Sequence, residues 1–515
     1  MIKFINIKFI LKFILFYVLL VFTFFPLWIN SKFGNISLDQ FYFHLSLVYF
    51  DIVGGDSRII RSAIKWLIVI PIFFSIFLIV LQSLLVGNFK KNSIKINHFL
   101  KVSTDLIIFL FNKLDVRLFK FLLKLNVIVL VFIILIFTLF FKNTLFFKET
   151  SVNENSKDLI EKKYIEPKIL EGSTKLKSTI IIYLESFERT FANPKFSKNE
   201  LLKEVYKNNF YQSIENYKQI PGLGWTIGSL VATQCGIPLL DVGFLHGNNW
   251  YETKKFLPNI NCLSDISYKN DFNNIFITSD DVNNSGTNIF LKNHNYNEIY
   301  DLNYFSKNNY KLSKYAFHNK NKFKGGIHDK TIFEFIIEKV ESLNINKKYL
   351  ITAFTLDTHA VDGYPSLSCL KKIVDKKDLN NYKYQDTVKC TADALAKFIS
   401  RFYSKNLHKN FNLILIGDHL SMQNYTKEKI KETERSIFNQ FYLIDKQKIL
   451  KSKIIFFDLY PSLLEILGFD IEDNLNRVAL GYSIFDKNIN PLFDRNTGYK
   501  SFKKSKKYLS FWGIK

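Results

Sequence analysis

Ser178-Thr-Ile-Ile-Ile-Tyr-Leu-Glu185 is an apolar run of β-branched and aromatic residues closed by a carboxylate. Such a run reads as a strand buried on both faces, the pattern of a parallel sheet. Similar runs recur at Asn274–Thr278, Tyr349–Leu356 and Phe411–Ile416, with helical patterns between them at Thr331–Leu343 and Thr391–Tyr403. Alternating strands and helices predict an α/β domain with a mostly parallel sheet and flanking helices. In an open sheet of that kind the carboxyl ends of the strands share one edge, where ligands bind. Glu185 follows the first run, Asp280 and Asp281 the second, Asp357 and His359 the third, and Asp418 and His419 the fourth. Carboxylates and imidazoles from distant parts of the chain should therefore converge. The alternative for any one of them is an Asp that caps the next helix.

A second stretch, Pro221-Gly-Leu-Gly-Trp-Thr226-Ile-Gly-Ser-Leu-Val-Ala-Thr-Gln-Cys235-Gly-Ile-Pro, is a glycine-rich approach to a helical pattern. It puts the Thr226 hydroxyl near a helix start, where free N–H groups and the dipole favour an anion. A plain N-cap is the alternative. As a nucleophile a threonine hydroxyl is weak and needs a base or a metal to deprotonate it. Glu185, Asp418 and His419 are hard and borderline ligands suited to zinc or manganese. No P-loop and no His-Glu-x-x-His occurs, which excludes those NTPase and zincin chemistries.

Together, Tyr183-Leu-Glu185-Ser-Phe-Glu188, Gly224-Trp-Thr226-Ile, Asp357-Thr-His359 and Gly417-Asp418-His419 resemble motifs of the alkaline phosphatase and sulfatase superfamily. The resemblance is to its phosphoglycerol transferase I family, which decorates periplasmic glucans, and more distantly to lipoteichoic acid synthases. Phe457-Asp-Leu-Tyr-Pro-Ser-Leu-Leu-Glu-Ile-Leu-Gly468 is similar to the superfamily's segment near the carboxyl end, and Gly326-Ile-His328-Asp329 occupies the place of a substrate-side loop. The resemblance implies an alkaline phosphatase-like fold and one divalent ion, manganese or zinc, held by Glu185, Thr226, Asp418 and His419. Thr226 would be both ligand and nucleophile, phosphatidylglycerol the donor and a cell-envelope glycan the acceptor. It further implies that His359 contacts phosphate or moves a proton, while His328 and Asp329 either contact substrate or shape their loop. Sister activities are phosphoethanolamine transfer and phosphodiester hydrolysis, and a non-enzymatic alternative is a membrane sensor or scaffold. A formylglycine sulfatase is disfavoured, because no Cys-x-Pro-x-Arg is present.

The rest of the chain reads as the anchor for this domain. Apolar runs at Phe13–Ile29, Trp66–Gly87 and Leu125–Phe141 lack Asp, Glu, Lys and Arg and have the length of bilayer spans. Lys3, Lys8 and Lys12 precede the first, and Lys90, Lys91, Lys95, Lys101, Lys113, Arg117, Lys120 and Lys124 separate the second from the third. By the positive-inside rule the amino terminus and the loop 88–124 face the cytoplasm, and everything after about residue 145 lies outside it. Asp105 to Lys124 suits a helix lying on anionic headgroups or a solvated linker helix. The expected layout is a transmembrane anchor at 1–145, a tether at 146–176, an extracytoplasmic catalytic domain at 177–490 and a basic tail at 491–515, in a bacterial inner membrane.

Charge and cysteine usage agree with that layout. Of the formal charge of +24 over 515 residues, +11 falls in 1–150 and +13 in the rest. Topology, a biased codon supply and attraction to anionic lipid, with Lys503, Lys504, Lys506 and Lys507 contributing, account for it without a nucleic-acid partner. Cys235, Cys262, Cys369 and Cys390 all lie in the part assigned outside, where disulfides persist. Of the three possible connectivities, the pairings of shortest loop, Cys235 with Cys262 and Cys369 with Cys390, are expected, with zinc ligation as the alternative.

Overall fold

The computed structural model describes residues 7–33, 57–85 and most of 159–513; within the last range the longest stretches outside it are 241–254, 311–325, 375–381, 422–429 and 494–504. The chain forms two compact units, residues 1–35 with 56–148, and residues 36–55 with 149–515.

In the first unit, α1 (Ile7–Phe33) packs against a continuous helical stretch made of α2 (Ser57–Ile64), a π-helical turn (Lys65–Val69) and α3 (Ile70–Leu85). The π turn has a local cause. Pro71 has no N–H and crowds the carbonyl four residues before it, that of Leu67. The Tyr17 hydroxyl donates to that carbonyl at 3.2 Å instead. Among the described residues one helix, Arg61–Val80, is long and apolar enough to cross a membrane, and the apolar part of α1 is the shorter Phe16–Phe25. The third expected span, Leu125–Phe141, and the loop 88–124 with its helix lie outside the described residues.

The second unit is built on the expected sheet. Its strands are β1 (Ser178–Leu184), β3 (Phe272–Thr278), β4 (Glu298–Tyr300), β5 (Lys348–Phe354), β6 (Phe411–Gly417) and β7 (Asn439–Tyr442), in the order β4-β3-β5-β1-β6-β7. All neighbours are parallel except β7, which closes the edge antiparallel to β6. A small parallel pair, β2 (Asn216–Lys218) with β8 (Lys453–Ile455), lies apart from it. Every residue of β1 is buried, as a central parallel strand requires.

Side chains of β1 alternate between two cores. Ile181 and Tyr183 join a cluster with Ile227, Leu230 and Val231 of α5 (Thr226–Cys235) and Leu463 and Leu467 of α10 (Leu459–Leu467). Ile180, Ile182 and Leu184 join the opposite cluster, with Ile332 and Ile336 of α7 (Asp329–Glu341) and Leu395 and Phe398 of α9 (Tyr384–Ser404).

Two expected boundaries move. The tether is expected to reach residue 176, but Ile160 in α4 (Leu159–Lys163) is buried in the core, and Ile165 and Ile169 bridge to Ala479 and Ile471. Apolar side chains spaced through this polar stretch bind it to the domain. Likewise the basic tail contains α11 (Lys506–Phe511), whose Tyr508 and Phe511 are buried, with the Leu240 N–H donating to the Tyr508 hydroxyl at 2.8 Å. Lys507 lies over the rings of Tyr164 and Phe511, while Lys503 and Lys504 are outside the described residues.

The parallel register pairs Leu184 with Gly417, so Glu185 and Asp418 leave adjacent strands side by side. Gly417 is required there because the turn after β1 passes directly over it. A Cβ would stand 1.9 Å from the Phe187 carbonyl oxygen, which already accepts from the Phe438 N–H. Gly417→Ala is expected to cost about 3 kcal/mol or more, since backbone rather than a flexible side chain must move. Thermal unfolding of the full chain should show a midpoint lowered by several degrees; an unchanged midpoint would mean the two loops are not packed this closely.

Candidate active site

The site begins with a strained turn. Ser186, after Glu185, has φ 50°, a left-handed conformation uncommon outside glycine. That turn lets the Ser186 N–H donate to Asp418 Oδ1 at 2.7 Å and its hydroxyl donate to Glu185 Oε1 at 2.7 Å. The Glu185 backbone is held by the segment that follows β5: its N–H donates to Thr355 Oγ1 at 3.0 Å, and its carbonyl accepts from the Thr358 hydroxyl. Asp418 Oδ1 also accepts from the His419 N–H at 2.7 Å. Asp418 Oδ2, equally buried, has no hydrogen-bond partner among the described residues.

His419 completes the group. Its Nδ1 lies 3.1 Å from the Leu420 carbonyl, an acceptor only, so Nδ1 carries a proton and Nε2 faces the carboxylates. Nε2 is 3.4 Å from Glu185 Oε1 and 3.5 Å from Asp418 Oδ2. One ligand atom from each of Glu185, Asp418 and His419 lies within 4.8 Å of the others, and all three residues are buried. Burial raises the Glu185 carboxyl, but His419 and His359 outweigh it and hold it below the ordinary value. Asp418 takes the opposite course, pushed up to about 7 by burial and by Glu185. Burial lowers the His419 imidazole, yet Asp418 and Glu185 raise it further.

Thr226 is the first residue of α5, with Trp225 and not Thr226 at the N-cap. Its hydroxyl is therefore not spent on capping and donates toward Glu185 Oε2 at 3.4 Å. The first bond from this turn is Ser229 N–H to the Trp225 carbonyl at 3.0 Å, so the N–H groups of Thr226, Ile227 and Gly228 make no such helical bond. The Trp225 indole lies over Gly228, where a Cβ would come within 2.4 Å of Nε1.

A family profile described as sulfatase matches residues 188–468, just over half of the chain. The chain belongs to the sulfatase family. It is 28% identical over 306 residues to phosphoglycerol transferase I of Salmonella typhi, covering 58% of this chain and 38% of that protein. To the same enzyme of Shigella flexneri it is 30% identical over 323 residues, covering 62% and 40%. The match thus spans about two fifths of the length of these relatives. Solved structures that align with it include the lipoteichoic acid synthase LtaP from Listeria monocytogenes, with TM-score 0.44, 14% identity and coverage of 62% of this chain and 79% of that one. Another is the Streptococcus pyogenes phosphoglycerol transferase GacH in complex with sn-glycerol-1-phosphate, with TM-score 0.40, 15% identity and coverage of 60% and 78%.

In this sulfatase-family chain the other expected residues fall at different distances from the buried trio. His359 is exposed, stacked beside Tyr364 with ring centroids 6.4 Å apart, and close enough to lower Glu185 electrostatically. His328 Nδ1 pairs with Asp357 Oδ1 at 2.8 Å, both buried. Asp329 is fully buried, with Oδ1 accepting from the Leu356 and Asp357 N–H groups and Oδ2 from the Thr391 hydroxyl, contacts that hold the loop after β5. Asp280 and Asp281 also serve local turns: Asp280 Oδ1 accepts from the Asp281 N–H and Asp281 Oδ1 from the Asn283 N–H. Their strand, β3, is separated from β1 by β5.

The helix that carries Thr226 is fixed at its far end. Tyr183 of β1 bonds Thr233 at 2.7 Å; Gln234 reaches Thr352 of β5 at 3.1 Å and accepts from the Tyr296 hydroxyl at 2.7 Å. Cys235, bonded to Cys262, adds a covalent link to the helix Leu263–Lys269. A second disulfide, Cys369–Cys390, joins the helix Leu367–Ile373 to α9. Cys262, Asp265 and His294 also cluster, but the sulfur is committed to the disulfide, and His294 is engaged by Asp265 at 2.7 Å and the Phe256 carbonyl at 3.0 Å. That cluster is structural.

Burial, and then the neighbouring Asp357, push the Asp329 carboxyl from 3.8 up to about 8. Between those values the fold keeps a proton that the unfolded chain has released, so this group lowers stability as pH rises from about 4 to about 8. Asp329→Asn should fold, because the amide oxygen still accepts both N–H groups and the Thr391 hydroxyl can accept from the amide. Its stability should vary less with pH across that window in denaturant titrations. An unchanged pH slope would contradict the assignment.

Proposed function

We propose that the chain is a membrane-anchored phosphoglycerol transferase that moves glycerophosphate from phosphatidylglycerol to a cell-envelope glycan. The observation that carries this reading is the Thr226 hydroxyl, free of capping and directed at a buried Glu185–Asp418–His419 group whose Asp418 Oδ2 has no hydrogen-bond partner among the described residues. Two carboxylates and an imidazole buried together fit a divalent cation, since burial without one is costly. Glu185, Thr226, Asp418 and His419 would hold one manganese or zinc ion. When bound it lowers the pKa of a coordinated hydroxyl and offsets charge on phosphoryl oxygens.

The chain's own groups account for the remaining steps. Thr226 Oγ1 passes its proton to the Glu185 carboxylate it faces as it attacks phosphorus, the bond to the diacylglycerol oxygen breaks, and glycerophosphate stays on the threonine, which takes that proton back when it is later displaced. The N–H groups at the start of α5 can take a phosphoryl oxygen. His359, at the exposed side, gives a proton to the leaving alkoxide and then takes one from the acceptor hydroxyl, which displaces Thr226. Both disulfides support an oxidising, extracytoplasmic setting for this domain. The three-span anchor and the basic surface would keep it against anionic lipid in a bacterial inner membrane.

Thr226→Ala in the full chain should abolish release of diacylglycerol from phosphatidylglycerol vesicles while leaving the fold intact. Residual release at the wild-type rate would refute the nucleophile. Vesicles of phosphatidylethanolamine should support at most marginal release; a preference for them would replace phosphoglycerol by phosphoethanolamine as the transferred group.

A further inference from the structure

Three residues beyond Glu185 stands a second buried acid, and its partner comes from a distant segment. Glu188 is fully buried and Arg435 is 3% exposed. Arg435 Nε donates to Glu188 Oε2 at 3.0 Å and Nη2 donates to Glu188 Oε1, a bidentate pair. The pair also grips a backbone. Glu188 Oε1 accepts from the Ser421 N–H at 2.7 Å, and Arg435 Nη2 donates to the Ser421 carbonyl at 2.6 Å. The Thr190 hydroxyl donates to Glu188 Oε2. On the strand side, Glu188 bridges to Ile437, and the Arg189 N–H donates to the Ser436 carbonyl at 2.9 Å.

This arrangement spans the two loops that carry the buried trio. Glu188 belongs to the turn that follows Glu185, and Ser421 lies two residues after His419. Between them, Leu420 N–H donates to Gln219 Oε1 at 2.7 Å, so consecutive backbone groups after His419 are fixed from outside. An ion pair buried this deeply gains little net stability over well-packed apolar residues, so stability alone is a poor account of it. Its geometric effect is specific: it ties the turn after Glu185 to the backbone two residues after His419.

We infer that Glu188 and Arg435 are positioning residues that clasp Ser421 and thereby hold Glu185 and His419 at cation-binding distance. The inference rests on the proposed cation site at Glu185, Asp418 and His419. Neither residue touches the cation or the substrate. Residues hydrogen-bonded to metal ligands typically contribute 10–100-fold to metal affinity, and the clasp, acting through the loop backbone two residues from His419, is assigned the same range.

The test is isothermal titration of the chelator-stripped full chain in detergent with Zn²⁺ or Mn²⁺ alone, beside thermal melting of the same metal-free samples. Arg435→Lys keeps the charge but loses the planar fork that holds Glu188 and Ser421 at once. Glu188→Asp keeps the charge but shortens the arm. Both variants should bind the ion about 10–100-fold more weakly, while the metal-free melting midpoint falls by no more than a few degrees. Wild-type affinity in either folded variant overturns the clasp and leaves the cation site standing. A wild-type chain that binds neither ion removes the cation site and the clasp with it. If neither variant folds, the pair is a folding element and the inference is wrong.

Discussion

Two carboxylates and an imidazole buried within 4.8 Å of one another are the constraint on which the rest of the second unit depends. In an interior of low effective dielectric, adjacent carboxylates cannot both stay ionised unless positive charge accompanies them. The fold answers this in part by letting Asp418 rise to about 7 while Glu185 stays low beside the histidines. Among the described residues Asp418 Oδ2 has no hydrogen-bond partner, and this is where a cation's field would act. The parallel register of β1 and β6, the left-handed Ser186 and the bare Cα of Gly417 are the means by which the two acids are brought this close.

Around that centre, rigidity is concentrated on the elements that carry it. The helix that presents Thr226 is tied to β1 and β5 by the Tyr183–Thr233 and Gln234–Thr352 bonds and to its neighbour by the Cys235–Cys262 disulfide. Such a satisfied polar network specifies one seating of the helix on the sheet, where purely apolar packing tolerates sliding. The proposed clasp does the same for the loop after His419. Only His359 of the proposed chemical groups is exposed, in keeping with the proton transfers proposed for it.

Much of this was legible in the sequence, and the exceptions have physical causes. The four central strands were readable because parallel strands buried on both faces are continuous apolar runs; β1 spans the residues expected of it, and β5 and β6 begin or end within two residues of expectation. β4 and β7 are short or lie at the edges, and neither shows such a run. Strand-end acids were informative at β1 and β6 but not at β3, where Asp280 and Asp281 hold turns. Residue type alone does not separate a ligand from a turn-former. Asp329 falls in the same category, since its two backbone donors come from residues 27 and 28 positions away. Glu188 stands in one of the quoted motifs, but its pairing with Arg435 was invisible for the same reason: 247 positions separate them, and no local pattern links one buried charge to another. The tether was misjudged from its polar composition, although a few apolar side chains such as Ile160 suffice to dock it.

The central claim, that Glu185, Asp418 and His419 with Thr226 form one cation site, is tested most directly by anomalous diffraction from crystals of the full chain grown with manganese or zinc. The account predicts a single strong peak at the carboxyl ends of β1 and β6, within coordination distance of all four side chains. No peak there, or a peak beside Cys262, Asp265 and His294 instead, would contradict it.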